Sequence, residues 1–221
     1  MAKRIVFWGD SITDAARDRN PERDKSGYNC YTGSGFARLI EAALAYEFPE
    51  EHEVLNRGIS GNRIVDLYAR IKADLINLKP DVVSILVGIN DVWHDYERKN
   101  GVDAQKFELV FDWVIQEILE ALPDVRIMIL EPFLLPGSVT ASTEERPDRW
   151  EYMESQTYLR AAASKRIAEK YGLTFLPLQE DLTQVNEKTN QEGYWLVDGV
   201  HPSGAGHELI KRKWLDAFRD L

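Results

Sequence analysis

Four short segments of the chain hold residue types that do chemistry in company. They are Gly9-Asp10-Ser11-Ile12-Thr13, Gly58-Ile59-Ser60-Gly61-Asn62, Gly88-Ile89-Asn90-Asp91 and Asp198-Gly199-Val200-His201-Pro202. In the last, an aspartate stands three residues before a histidine in a tight turn. Its carboxylate can accept a hydrogen bond from imidazole Nδ1, which fixes the tautomer and leaves Nε2 as a base. A free serine hydroxyl is a weak nucleophile at neutral pH and needs such a base. Ser11, His201 and Asp198 therefore make a candidate nucleophile, general base and orienting carboxylate. Acyl transfer also needs donors for the oxyanion, and the backbone N–H groups of Ser11 and Gly58 with the side-chain amide of Asn90 can supply three. At position 58 a Cβ would crowd an approaching acyl group. Alone, Ser11 would be an ordinary helix N-cap, Gly58 a turn glycine and Asn90-Asp91 a cap or turn pair. Together they point to catalysis.

The remaining candidates take lesser roles. Asp10 is placed among the substrate-binding residues as a hydrogen-bonding side chain, not as a second catalytic carboxylate. Asp91 caps or braces its loop. Trp93 and Trp195 are candidate substrate contacts, with core packing as the alternative, and Tyr194 is a weaker one. Of the four histidines, His52 and His94 read as surface or loop residues and His207 as structural, at the start of the last helix. His201, His207 and Asp198 match no zinc spacing such as two histidines at i, i+4 around a glutamate, so no metal and no cofactor is expected. Cys30, the single cysteine, has no nucleophile signature around it and reads as a small loop or core residue.

These segments must be held by something. Ile5 to Trp8, Glu53 to Asn56, Asp81 to Val87, Val125 to Leu130 and Leu173 to Leu176 are short apolar runs. Such continuity suits strands buried on both faces, as in a parallel sheet. Helical periodicity fills the intervals: Gly35 to Phe48, Arg63 to Leu78, Ala104 to Leu122 (stopped by Pro123), Tyr152 to Tyr171 (followed by Gly172) and Ala205 to Phe218. The alternation predicts an α/β fold, a three-layer α/β/α sandwich with a central parallel sheet of about five strands in flavodoxin-like order. In such a sheet ligands bind beyond the carboxyl ends of the strands, which is where the first three segments fall. Two irregular stretches, Asp14 to Thr32 and Glu131 to Arg149, are long enough to be functional. No repeat or linker interrupts residues 1–221, so one domain is expected.

Composition narrows the partners. Charged residues make up 29% of the 221 positions and the net charge is −10, with basic residues scattered among acids. A phosphate-binding surface needs clustered Lys and Arg, so nucleic acid and anionic membrane are excluded as partners. A neutral small-molecule or oligosaccharide ester fits that field. The lone cysteine, the short apolar stretch at the N-terminus and the lack of an apolar run of about 18 residues lead to an expectation of a cytoplasmic protein. Exposed apolar loops beside the site make a homo-oligomer the expected assembly.

The four segments resemble, in order, the four blocks of the SGNH (GDSL-like) hydrolases, and the resemblance spans nearly the whole chain. The family's serine, glycine, asparagine and histidine map to Ser11, Gly58, Asn90 and His201, and its aspartate to Asp198. Ile12 stands where the name-giving motif has leucine. The longer strings at 83–93, 58–62 and 200–207 resemble the bacterial acetylxylan esterase branch. The resemblance implies an α/β/α serine esterase acting on short acyl esters, acetyl above all, of carbohydrate such as xylo-oligosaccharides. The rival within the family is a lysophospholipase or thioesterase, which needs an elongated apolar groove. Rivals from other classes are a non-catalytic carbohydrate-binding module and a flavodoxin-like nucleotide-binding module. All five catalytic positions are occupied, against the first; no Walker A or Gly-x-Gly-x-x-Gly loop is present, against the second. The absence of Gly-x-Ser-x-Gly argues against the α/β-hydrolase nucleophile elbow.

Overall fold

The computed structural model describes residues 2–19 and 31–219. Five parallel strands form one sheet: β1 (Lys3–Gly9), β2 (His52–Gly58), β3 (Val82–Leu86), β4 (Arg126–Leu130) and β5 (Thr174–Leu176), in the order β2-β1-β3-β4-β5. This is the flavodoxin-like order, which places β1 and β3 side by side where the winding reverses.

The apolar runs are continuous because alternate residues serve two cores. Along β1, Ile5 and Phe7 enter one core while Val6 and Trp8 enter the other. The first core is closed by α2 (Phe36–Glu47) and α9 (Gly204–Arg219), with Phe7 5.6 Å from the Phe36 ring and 5.3 Å from that of Trp214. Trp214 Nε1 donates to Ser84 Oγ at 3.1 Å, which satisfies a buried hydroxyl in the central strand. The second core lies under α3 (Ile64–Ala69), α6 (Ala104–Ala121) and part of α7 (Arg149–Tyr171). No helix among the described residues is long and apolar enough to cross a membrane.

Three departures from the sequence reading matter for the site. The periodic stretch 63–78 is not one helix but α3, α4 (Ile71–Asp74) and a 3₁₀ turn over 76–78. The first break falls at Arg70, whose guanidinium donates to Gly9 O, Arg57 O and Asn62 Oδ1. Those bonds tie its backbone to the ends of β1 and β2, a tertiary demand that overrides helical period. The second departure is the helix α5 (Ile89–Arg98), which the sequence reading does not mark although its apolar residues Ile89, Val92, Trp93 and Tyr96 recur at helical spacing and pack on the first core. The third is the polar α8 (Gln179–Glu187), where Leu182 alone is buried and no apolar stripe announces a helix. Of the two irregular stretches, 131–148 is irregular as expected, whereas residues 20–30 of the other, with Cys30, lie outside the described residues.

Candidate active site

β1 runs straight into a single helical turn, α1 (Ser11–Asp14). Asp10 caps it, Oδ1 accepting from Ile12 N at 3.0 Å, and so holds Ser11 at the first helical position. A helix leaves its first N–H groups without intrahelical partners, so the Ser11 backbone N–H is available beside its own hydroxyl. Asp10 has no exposed surface and its Oδ2 has no hydrogen-bond partner among the described residues; burial pushes its carboxyl up to about 7, against the Ile12 hydrogen bond. It does not line the cleft described below, which removes it from the substrate contacts and leaves the structural role.

The opposing turn is enclosed by the isolated bridge Leu196–Pro202, just ahead of α9. Asp198 Oδ1 accepts from Val200 N (2.9 Å) and His201 N (2.8 Å), and Oδ2 lies 2.7 Å from His201 Nδ1. Gly199, at φ +99°, makes the turn possible, and a Cβ there would stand 2.3 Å from Thr140 Oγ1. The irregular stretch supplies the other side: Leu135 N donates to Gly199 O and Val139 N to Asp198 O. This gives 131–148 a function that its sequence does not disclose, since it clamps the Asp–His turn.

His201 Nε2 lies 2.9 Å from Ser11 Oγ. Hydroxyl, imidazole and carboxylate thus form one hydrogen-bonded series from 190 residues apart in sequence. Burial opposes ionisation of Asp198, but the bonds from the His201 ring and from the His201 and Val200 backbones hold it down at about 2. The same Asp198 hydrogen bond raises His201 above the ordinary imidazole range, against burial. A base tuned this way binds a proton more firmly as it takes it from serine.

The series opens into a cleft of about 970 Å³, lined among others by Ser60, Gly61, Asn62, Asn90 and Trp93. Asn90 Nδ2 donates to Asn62 O at 3.2 Å, which orients the amide and leaves its second N–H. Trp93 lines the cleft as expected, its ring centroid 6.1 Å from that of His201. Trp195 does not; its Nε1 donates to Thr189 Oγ1 at 2.9 Å and its ring packs on the core, with Tyr194 at 5.2 Å. Core packing was the competing fate, and for Trp195 it prevails.

Gly58 is also corrected. As the last residue of β2 it pairs with Gly9, and its N–H donates to Asn56 Oδ1 at 2.8 Å. It does not line the cleft. A Cβ there would lie 2.2 Å from Asp14 N and 2.7 Å from Thr13 C, so the glycine is required by α1 and not by an acyl group. Asn56 Nδ2 completes the arrangement by donating to Thr13 O (2.6 Å) and Thr32 O (2.9 Å). The glycine at the cleft is Gly61, at φ +81°. The second glycine of the segment was visible in sequence; only the register of β2 distinguishes the two.

The histidines divide differently from expectation in two cases, His52, which opens β2, and His94. His207 is structural, Nδ1 accepting from Phe36 N at 3.1 Å, and burial first, then His201, lowers it to about 4. His52 sits between the Phe48 and Phe218 rings. His94, expected on a surface or loop, lines the cleft from α5. Asp91 braces as expected, its carboxylate accepting from Ile64 N at the start of α3. Burial raises it well above the ordinary carboxylate range. No three His, Cys, Asp or Glu side chains among the described residues are grouped to hold a metal ion.

Fold and site define a class, and the comparisons agree with it. Residues 7–209 match the model of the GDSL-like Lipase/Acylhydrolase family, and the chain belongs to that family of carboxylic ester hydrolases. Among curated proteins it is similar to an acetylxylan esterase of Geobacillus stearothermophilus, 35% identical over 219 residues, covering 96% of this chain and 92% of the relative. Among solved structures it resembles a catalytic mutant of Axe2, an acetylxylan esterase from the same species. The TM-score is 0.78 at 31% identity, over 98% of this chain and 94% of that one. LAE5, an alpha/beta hydrolase enzyme from the metagenome of Lake Arreo, Spain, is similar at TM-score 0.81 and 28% identity, over 98% and 96% of the two chains.

Proposed function

We propose that the protein hydrolyses short-chain acyl esters, acetyl esters above all, of carbohydrate, through an acyl-enzyme on Ser11. The observation that carries this is the Ser11–His201–Asp198 series opening into a polar cleft. Ser11 Oγ attacks the ester carbonyl while His201 Nε2 takes its proton, and Asp198 stabilises the imidazolium. The oxyanion is held by the Ser11 N–H, the Asn90 amide and the N–H of Gly61, which replaces Gly58 in that role. His201 then protonates the departing alcohol and activates the water that deacylates the enzyme. Support comes from Axe2, whose variants described as catalytic mutants replace a serine, an aspartate and a histidine. The last two stand three residues apart, the spacing of Asp198 and His201.

The walls favour a sugar over a long acyl chain. Beyond Gly61, Trp93 and Val139, every side chain lining the cleft is polar or charged. An aliphatic chain laid there would desolvate those groups without pairing them. Rates on p-nitrophenyl esters from acetate to octanoate test the reading. The expected result is a steep fall beyond acetate and loss of turnover in Ser11→Ala with unchanged circular dichroism. A rate that rises with chain length would hand the site to a lysophospholipase or thioesterase, and an active Ser11→Ala would remove the nucleophile.

A further inference from the structure

Five of the residues that line the cleft come from one face of α5: Asn90, Trp93, His94, Glu97 and Arg98. Their spacing of i, i+3, i+4, i+7 and i+8 makes a single stripe along the helix. At 1.5 Å per residue it extends about 12 Å from Asn90, beside Ser11, to Arg98. That is more than an acetyl group occupies, so the outer stripe faces the alcohol half of the ester. Its far end is tied to the opposite wall. Arg146 is ion-paired with Glu97 and its guanidinium lies 5.7 Å from the centroid of the Tyr96 ring, and Tyr96 OH donates to Asp148 at 2.8 Å.

His94 stands between the chemistry and that tie. A methyl group built on Gly61 would lie 3.8 Å from its Cε1, so the imidazole is adjacent to the turn that flanks Ser11. Neither ring nitrogen has a hydrogen-bond partner among the described residues. Burial, with Arg98 and Arg63 beside it, lowers its pKa below the ordinary imidazole value. A neutral imidazole offers one donor and one acceptor, the complement of a hydroxyl, which is both. Glu97, by contrast, is already paired.

We infer that His94 is the specificity-determining residue for the alcohol half of the substrate, hydrogen-bonding a free sugar hydroxyl next to the esterified one. The inference rests on the carbohydrate reading above. The experiment compares wild type, His94→Ala and His94→Gln on acetylated xylotriose and on p-nitrophenyl acetate, whose alcohol has no neighbouring hydroxyl. Losing one such hydrogen bond is worth about ten-fold. His94→Ala should lower kcat/KM on acetylated xylotriose about ten-fold more than on p-nitrophenyl acetate, through KM, and His94→Gln should recover most of the difference. Should the alanine variant not fold, His94→Leu removes the hydrogen bond while keeping bulk. Equal falls on both substrates, no fall on either, or a glutamine variant no better than alanine would overturn the assignment while the carbohydrate reading stands. A wild-type enzyme active on p-nitrophenyl acetate and inert on acetylated xylotriose would end both.

Discussion

At the scale of single residues the site depends on proton affinity. In the proposed mechanism Ser11 loses its proton to a neutral His201, and the Asp198 hydrogen bond raises that imidazole above its ordinary value of 6.5. Activity should therefore fall as pH drops, with the acid limb of kcat/KM centred above pH 6.5. A pH–rate profile on p-nitrophenyl acetate measures it, and a limb centred below 6.5 would contradict the role given to Asp198. Asp198→Asn should lower kcat by about 10³- to 10⁴-fold, because an amide cannot hold the reactive tautomer.

At the scale of elements, the ends of β1 and β2 are welded to α1 by backbone proximity. Gly58→Ala would put a Cβ against three backbone atoms of Thr13 and Asp14, none of which can swing away as a side chain does. α1 would have to move, and it carries Ser11. Gly61→Ala meets no such wall and suffers mainly from its positive φ, a cost of about 1–2 kcal/mol. Thermal melts of the two variants should show Gly58→Ala as the more damaging to stability. Equal losses would mean that the strand end yields more than its packing suggests.

At the scale of the whole molecule, the first core lies under β1, the strand that leads into Ser11. Phe7 is fully buried between Phe36 and Trp214, so it joins β1 to α2 and α9. Phe7→Ala should cost about 3–5 kcal/mol by equilibrium denaturation. Below its lowered melting point the variant should retain measurable turnover, because Phe7 does not line the cleft.

The sequence by itself determined the class of fold and singled out the groups proposed to react. Both are local properties: a strand buried on both faces must be apolar throughout, as Ile5 to Trp8 is, and an aspartate three residues before a histidine can reach its imidazole without help from elsewhere. Tertiary structure decided which neighbours face the cleft. Gly58 and Gly61 differ only in where β2 ends. Trp93 and Trp195 both flank the site in sequence, yet one lies beside His201 and the other packs inward. His94 belongs to α5, whose apolar stripe Ile89, Val92, Trp93 and Tyr96 marks a helix but does not show that the neighbouring stripe of His94, Glu97 and Arg98 faces a cleft. Local pattern records what a residue must be to stay folded; a cleft is made where elements distant in sequence meet, and no single stretch contains that information.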